Sequence, residues 1–171
     1  TAPNVAYLAR PCQYTPISTD SSCSDSAYWS DKRFSEEVIA SMNEAVDQLK
    51  ASSGAPTVRM AGYSGGGAVA VLIAARRNDV SFLSTIAGNL DHEAVNRLHH
   101  VSLMPGSLNP IDFAASVSHV PQKHFVGGKD KVVTASIAAK FIQKAGSPPT
   151  MQIVDIPEAT HTSGWDPIEP W

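Results

Sequence analysis

Ser64 is enclosed by small residues, in the run Gly62-Tyr63-Ser64-Gly65-Gly66-Gly67. A serine hydroxyl is a weak nucleophile at neutral pH. It becomes a strong one when a base takes its proton and a carboxylate orients that base. The G-x-S-x-G spacing gives such a serine a place to stand. At a sharp turn between a strand and a helix, the residues two before and two after the serine crowd it, so only small side chains fit. The hydroxyl is then held over a helix N-terminus, where backbone N–H groups favour developing negative charge. Gly and Ser are also common in ordinary turns, so the motif by itself is weak evidence. Its value depends on what flanks it and on who can serve as base and acid.

Six histidines are available as the base. His99 and His100 sit in a polar segment that reads as exposed. His119 precedes an expected strand, and His124 lies inside it, where a core or sheet-face role is the plain reading. His92 falls within AGNLDHEAVNRLHH, the segment read below as a short helix. His161, in Ala159-Thr160-His161-Thr162-Ser163-Gly164-Trp165, stands in a loop just beyond the last expected strand, among small neighbours that let it fold inward. His161 is the preferred base. Asp130, in Val126-Gly127-Gly128-Lys129-Asp130, is the preferred acid, since it follows a strand directly at the same sheet edge. Asp91, in Gly88-Asn89-Leu90-Asp91-His92, is the competitor one strand earlier. The competing structural readings are that Asp130 caps the next helix and that Asp91 belongs to a lid.

The elements that would position these groups alternate. Asn4–Ala9 reads as a short strand ended by Arg10-Pro11, because a proline disfavours helical angles in the residue before it. Phe34, Val38, Ile39, Met42, Ala45, Val46 and Leu49 recur at three- and four-residue steps, the stripe of an amphipathic helix. Ser35 with the following glutamates starts it, and Gly54 with Pro56 ends it. Strands are then expected at 57–61, 80–87, 120–126 and 151–156, and helices at 66–77 and 132–145. A short helix falls within AGNLDHEAVNRLHH, and loop follows through MPGSLNPID. Strand–helix alternation predicts an α/β domain with a mostly parallel sheet layered between helices. Residues 1–171 read as one domain, with 89–119 as a small cap. Leu98, Leu103, Met104 and Leu108 of that cap either line an acyl pocket or pack on the sheet. Trp165 either walls the site or fills space.

Bulk composition narrows the class. At 171 residues and 43% hydrophobic, the chain can bury a sizeable core. A net charge of −3 with no basic cluster argues against nucleic acid as a partner. The longest apolar stretches, such as Ala68–Ala75, are too short to span a bilayer. Cys12 and Cys23 lie eleven apart in a Pro/Ser/Thr/Asp-rich loop, without CxxC spacing or a nearby His pair, which disfavours zinc. A disulfide stapling the loop is the preferred reading, and free surface thiols the alternative. The staple implies an oxidising compartment, secreted or periplasmic. The chain starts at Thr1 without Met, which suggests a processed or truncated product.

Taken together in chain order, Gly62-Tyr63-Ser64-Gly65-Gly66, Gly127-Gly128-Lys129-Asp130 and Thr160-His161 resemble the α/β-hydrolase superfamily. VAYLARPCQY (5–14), RFSEEV (33–38) and AGNLDH (87–92) resemble, more loosely, bacterial exported or lipoprotein-type α/β hydrolases. The resemblance implies a serine hydrolase acting on an ester or other acyl substrate, without cofactor or metal. Ser64 is then the nucleophile, His161 the base, Asp130 the acid, and the Gly65 amide one oxyanion-hole donor. By the resemblance the Asn4–Ala9 strand corresponds to the family's fourth; the family's first strands and the Gly-rich loop that supplies a second oxyanion-hole donor are not found before it. Two explanations stay open: a fragment whose missing piece or a second copy covers the sheet edge, or a reduced hydrolase with another donor. The competing function is a non-catalytic binding domain on the same fold.

Overall fold

The computed structural model describes residues 4–15, 18–166 and 168. Thr1, the Pro16-Ile17 part of the cysteine loop and the Glu169–Trp171 end of the tail lie outside the described residues. The chain falls into two compact units, residues 1–57 with 104–108, and residues 58–103 with 109–171.

In the first unit the expected Asn4–Ala9 strand is not formed. Residues 5–9 have no regular structure, and Tyr7 is 97% exposed. The apolar composition favours extension, but a strand exists only where its backbone groups find a ladder partner. The cysteine loop is held differently. Cys12 and Cys23 form a disulfide and are both buried. The Arg10 guanidinium donates to the carbonyls of Tyr28 and Arg33, at 3.1 Å each. The Trp29 indole donates to the Cys12 carbonyl at 2.7 Å. Helix α1, Glu36–Ser53, follows, with Glu36 and Glu37 in its first turn and Lys50 in its last, which suits the helix dipole. It ends at Gly54, whose φ of 66° is left-handed. Val38, Ile39, Met42 and Val46 are buried, whereas Leu49 is partly exposed, so the apolar stripe stops a turn earlier than its spacing suggested. Residues 104–108 join this unit through Asp31: its carboxylate accepts the Gly106 N–H at 2.9 Å, and its carbonyl accepts the Ser107 hydroxyl at 2.6 Å.

The second unit is a four-stranded parallel sheet in the order β1 (Val58–Tyr63), β2 (Val80–Ile86), β3 (Gln122–Gly127), β4 (Met151–Ile156). The connecting helices are α2 (Gly65–Ala74), α3 (His92–Leu98) and α4 (Ala135–Lys144), with 3-10 turns at Pro110–Phe113 and Ala115–Val117. Right-handed crossovers that always step the same way bring their helices to one face. Accordingly Val71, Leu83, Val95, Val117 and Phe141, from α2, β2, α3, a 3-10 turn and α4, share one buried cluster. Helix α2 is buried from Gly67 to Ala74, as an apolar-all-round helix must be. Full burial of Leu72 and Ile73 contributes about 1.5–3 kcal/mol each. Because the strands are parallel, their carboxyl ends share one edge. The segments after β1, β2, β3 and β4 therefore emerge together.

Of the leucines and methionine read as either pocket lining or packing on the sheet, Leu98 and Leu103 are 50% and 39% exposed and Met104 is buried. Leu108 belongs with the first unit.

Candidate active site

Ser64 occupies the turn between β1 and α2 with φ 50° and ψ −118°, a left-handed backbone for a non-glycine residue. The surroundings hold it there. Its N–H donates to the Ile86 carbonyl at 2.9 Å, and its own carbonyl accepts the N–H groups of Gly67 and Asn89 at 3.0 Å. A Cβ on Gly62 would stand 2.2 Å from the Gly66 carbonyl oxygen, and one on Gly67 2.9 Å from the Gly88 Cα. Gly62 and Gly67 are steric requirements of this turn, whereas a Cβ on Gly66 would meet nothing within 4 Å, so the crowding expected two residues after Ser64 is absent. Gly65 opens α2, so its N–H belongs to the first turn, where no intrahelical acceptor exists.

His161 reaches this serine from the loop after β4. Its Nε2 lies 3.0 Å from Ser64 Oγ, and its Nδ1 lies 2.9 Å from Asp130 Oδ2. The Asp130 side chain is fully buried and that of His161 is 15% exposed. Asp130's second oxygen accepts the N–H groups of Val132 and Val133 at 2.8 and 2.9 Å. With one oxygen fixed by two amides, the other is aimed at the imidazole. The two loops that carry Asp130 and His161 pack backbone against backbone. A Cβ on Gly127 would meet the Ala159 carbonyl oxygen at 2.5 Å, and one on Gly128 the Pro157 carbonyl oxygen at 2.6 Å. The Lys129 N–H donates to that same Ala159 carbonyl at 2.9 Å.

Asp91 is occupied elsewhere. It caps α3, where Oδ1 accepts the Ala94 N–H at 3.1 Å and the Asn109 amide at 2.9 Å. It also lines a shallow depression of about 280 Å³ with Glu93, Arg97 and Asp112, and none of Ser64, Asp130 or His161 borders it. His99 and His100 are exposed, and His99 Nε2 lies 2.8 Å from the Val132 carbonyl. His119 is exposed, His92 is buried at the start of α3, and His124 is fully buried in β3.

Sequence reasoning passed over Tyr63. Its hydroxyl donates to the His161 carbonyl at 2.7 Å, and the Trp165 indole donates to the same oxygen at 3.2 Å. Tyr63 stands inside the motif, but nothing in its neighbours tells where its hydroxyl goes. Burial, and then the charge of Asp130, push the Tyr63 phenol above its ordinary pKa.

No protein-family model and no curated protein sequence matches the chain. Solved structures do. An esterase from Pyrococcus furiosus superposes on 74% of the chain with a TM-score of 0.60 at 14% identity. A protein described as a dienelactone hydrolase from Klebsiella pneumoniae superposes on 73%, with a TM-score of 0.57 at 22% identity. The Pyrococcus horikoshii acylaminoacyl peptidase superposes on 77%, with a TM-score of 0.65 at 11% identity. The fold is that of the α/β hydrolases. The chain spans 55% of the esterase, 49% of the Klebsiella protein and 24% of the peptidase. Within the α/β-hydrolase fold, low identity fixes the architecture and leaves the chemistry to the side chains at the sheet edge.

Proposed function

We propose that this chain carries the active centre of a serine hydrolase that works by acyl transfer on an ester or related acyl substrate. The reading rests on one observation, the continuous hydrogen-bond chain from Ser64 Oγ through His161 to Asp130. Ser64 attacks the carbonyl carbon while His161 Nε2 takes the hydroxyl proton. The imidazolium that forms is held in orientation by Asp130, which keeps the proton on Nδ1. The tetrahedral oxyanion draws a hydrogen bond from the Gly65 N–H at the start of α2; removal of one such donor typically lowers turnover by about 10²–10³-fold. His161 then returns the proton to the leaving group, and the C–O bond to that group breaks. An acyl-Ser64 ester remains, and water activated by the same histidine hydrolyses it. The neighbours' names, esterase, dienelactone hydrolase and acylaminoacyl peptidase, favour acyl chemistry in general over any one leaving group.

A fluorophosphonate probe tests this directly. The chain is expected to be labelled covalently, and Ser64→Ala to lose all label while keeping its thermal transition. An unlabelled, folded wild-type chain overturns the reading and leaves the same fold as a binding domain.

A further inference from the structure

The His161 carbonyl oxygen has two lone pairs, and two side chains occupy them. One is the Tyr63 hydroxyl at 2.7 Å; the other is the Trp165 indole N–H at 3.2 Å. The two donors come from different places. Tyr63 is the last residue of β1, covalently next to Ser64, whereas Trp165 closes the same loop four residues after His161. The loop is also tightened locally. Thr160 N–H donates to the Ser163 carbonyl at 3.0 Å, their hydroxyls lie 2.8 Å apart, and Gly164 turns the chain at φ 84°. These contacts shape the loop, and among the described residues Tyr63 is the side chain that connects its backbone to the strand end that carries Ser64. The Tyr63 ring also lies beside the imidazole, with 5.4 Å between ring centroids.

This geometry has a consequence for the base. The side-chain contacts of His161 fix the ring only if the backbone beneath it stays in place. A shift of about 1 Å at a catalytic group can cost about 10²-fold in rate. Tyr63 is 45% exposed, and a hydrogen bond near solvent adds little net stability. Its loss should therefore appear in turnover and hardly in folding.

We propose that Tyr63 is a positioning residue whose hydroxyl, together with the Trp165 indole, sets the His161 backbone at its distance from Ser64. This role rests on the hydrolase reading above. A phenol ordinarily titrates near pH 10, and burial raises this one further, so the hydroxyl is a donor throughout the neutral range.

The test uses the full chain, an activated acyl ester and the fluorophosphonate probe. Tyr63→Phe keeps the ring and removes the donor. Expected are a kcat and a phosphonylation rate lower by about 10-fold, a KM within twofold and an unchanged thermal transition. Tyr63→Phe with Trp165→Phe should lower kcat by about 100-fold, because the carbonyl then has neither donor. In a His161→Ala background, Tyr63→Phe should leave the residual rate unchanged, since no base is left to position. Wild-type turnover in Tyr63→Phe overturns the proposal. So does a loss that persists without His161, which would make Tyr63 a substrate contact. If the wild-type chain takes no label, the hydrolase reading fails, and the proton resonance of His161 Nδ1–H still decides the positioning role. That resonance should be sharp in wild type and broadened in Tyr63→Phe, and an identical resonance in both refutes the role.

Discussion

Asp130 and Asp91 carry the same group in different settings. Both oxygens of Asp130 have defined partners, two backbone amides and the imidazole. Asp91 instead closes the N-terminus of α3 and holds Asn109. Asp130→Asn is expected to lower kcat by about 10³–10⁴-fold with little change in KM, since an amide cannot keep the imidazole in the required tautomer. Asp91→Ala should leave kcat within twofold and cost about 1 kcal/mol of stability, the usual worth of a lost N-cap. Steady-state kinetics and urea melts on the two variants separate the roles. Had Asp91 been the acid, the two kinetic outcomes would be exchanged.

Among elements, the pair of loops after β3 and β4 decides the site. They approach so closely that Gly127 and Gly128 have no room for a side chain. Gly127→Ala must push the Ala159 carbonyl, and with it the His161 loop, away from Asp130. The expected result is a kcat lower by at least about 10-fold with the sheet intact, read by kinetics alongside circular dichroism. Wild-type turnover in Gly127→Ala would show that the loops slide freely. The turn at Ser64 follows the same logic: Gly62 is excluded from substitution by the Gly66 carbonyl, and Ser64 is kept in a left-handed conformation by three backbone hydrogen bonds.

Across the whole molecule, the fully buried His124 couples folding to pH. Its Nδ1 lies 2.8 Å from Thr85 Oγ1, and its ring meets the Phe141 ring edge-on at 5.5 Å. Burial lowers its pKa from the ordinary 6.5 to about 4. The unfolded chain therefore binds the proton more readily than the folded one. Stability from this residue is complete above about pH 6.5, falls as pH drops towards 4, and falls no further below that. The loss totals about 3 kcal/mol at most. Urea melts from pH 7.5 to 4.5 should show this slope, and His124→Leu should remove it. The Cys12–Cys23 bridge fits an oxidising, extracellular environment. Among the described residues no helix is long and apolar enough to cross a membrane.

The sequence by itself determined the α/β class, because strand–helix alternation is set by local hydrophobic periods. Met151–Ile156 was read to the residue, and α1 by its caps and stripe. It also singled out Ser64, Asp130 and His161 by their places just past strands, and the parallel sheet brings those segments to one edge, where the three side chains lie within hydrogen-bond distance. Tertiary structure alone decided matters that depend on distant partners. Asn4–Ala9 has strand composition and no strand, because extension needs a neighbour to bond. Asp91 was the competing acid by its place after a strand, and only the folded chain shows its carboxylate capping α3 and holding Asn109. The destination of the Tyr63 hydroxyl, 98 residues away at the His161 carbonyl, has no local signature at all. Periodicity and turn chemistry act over a few residues, whereas a hydrogen bond across the sheet edge exists only once the chain has closed on itself.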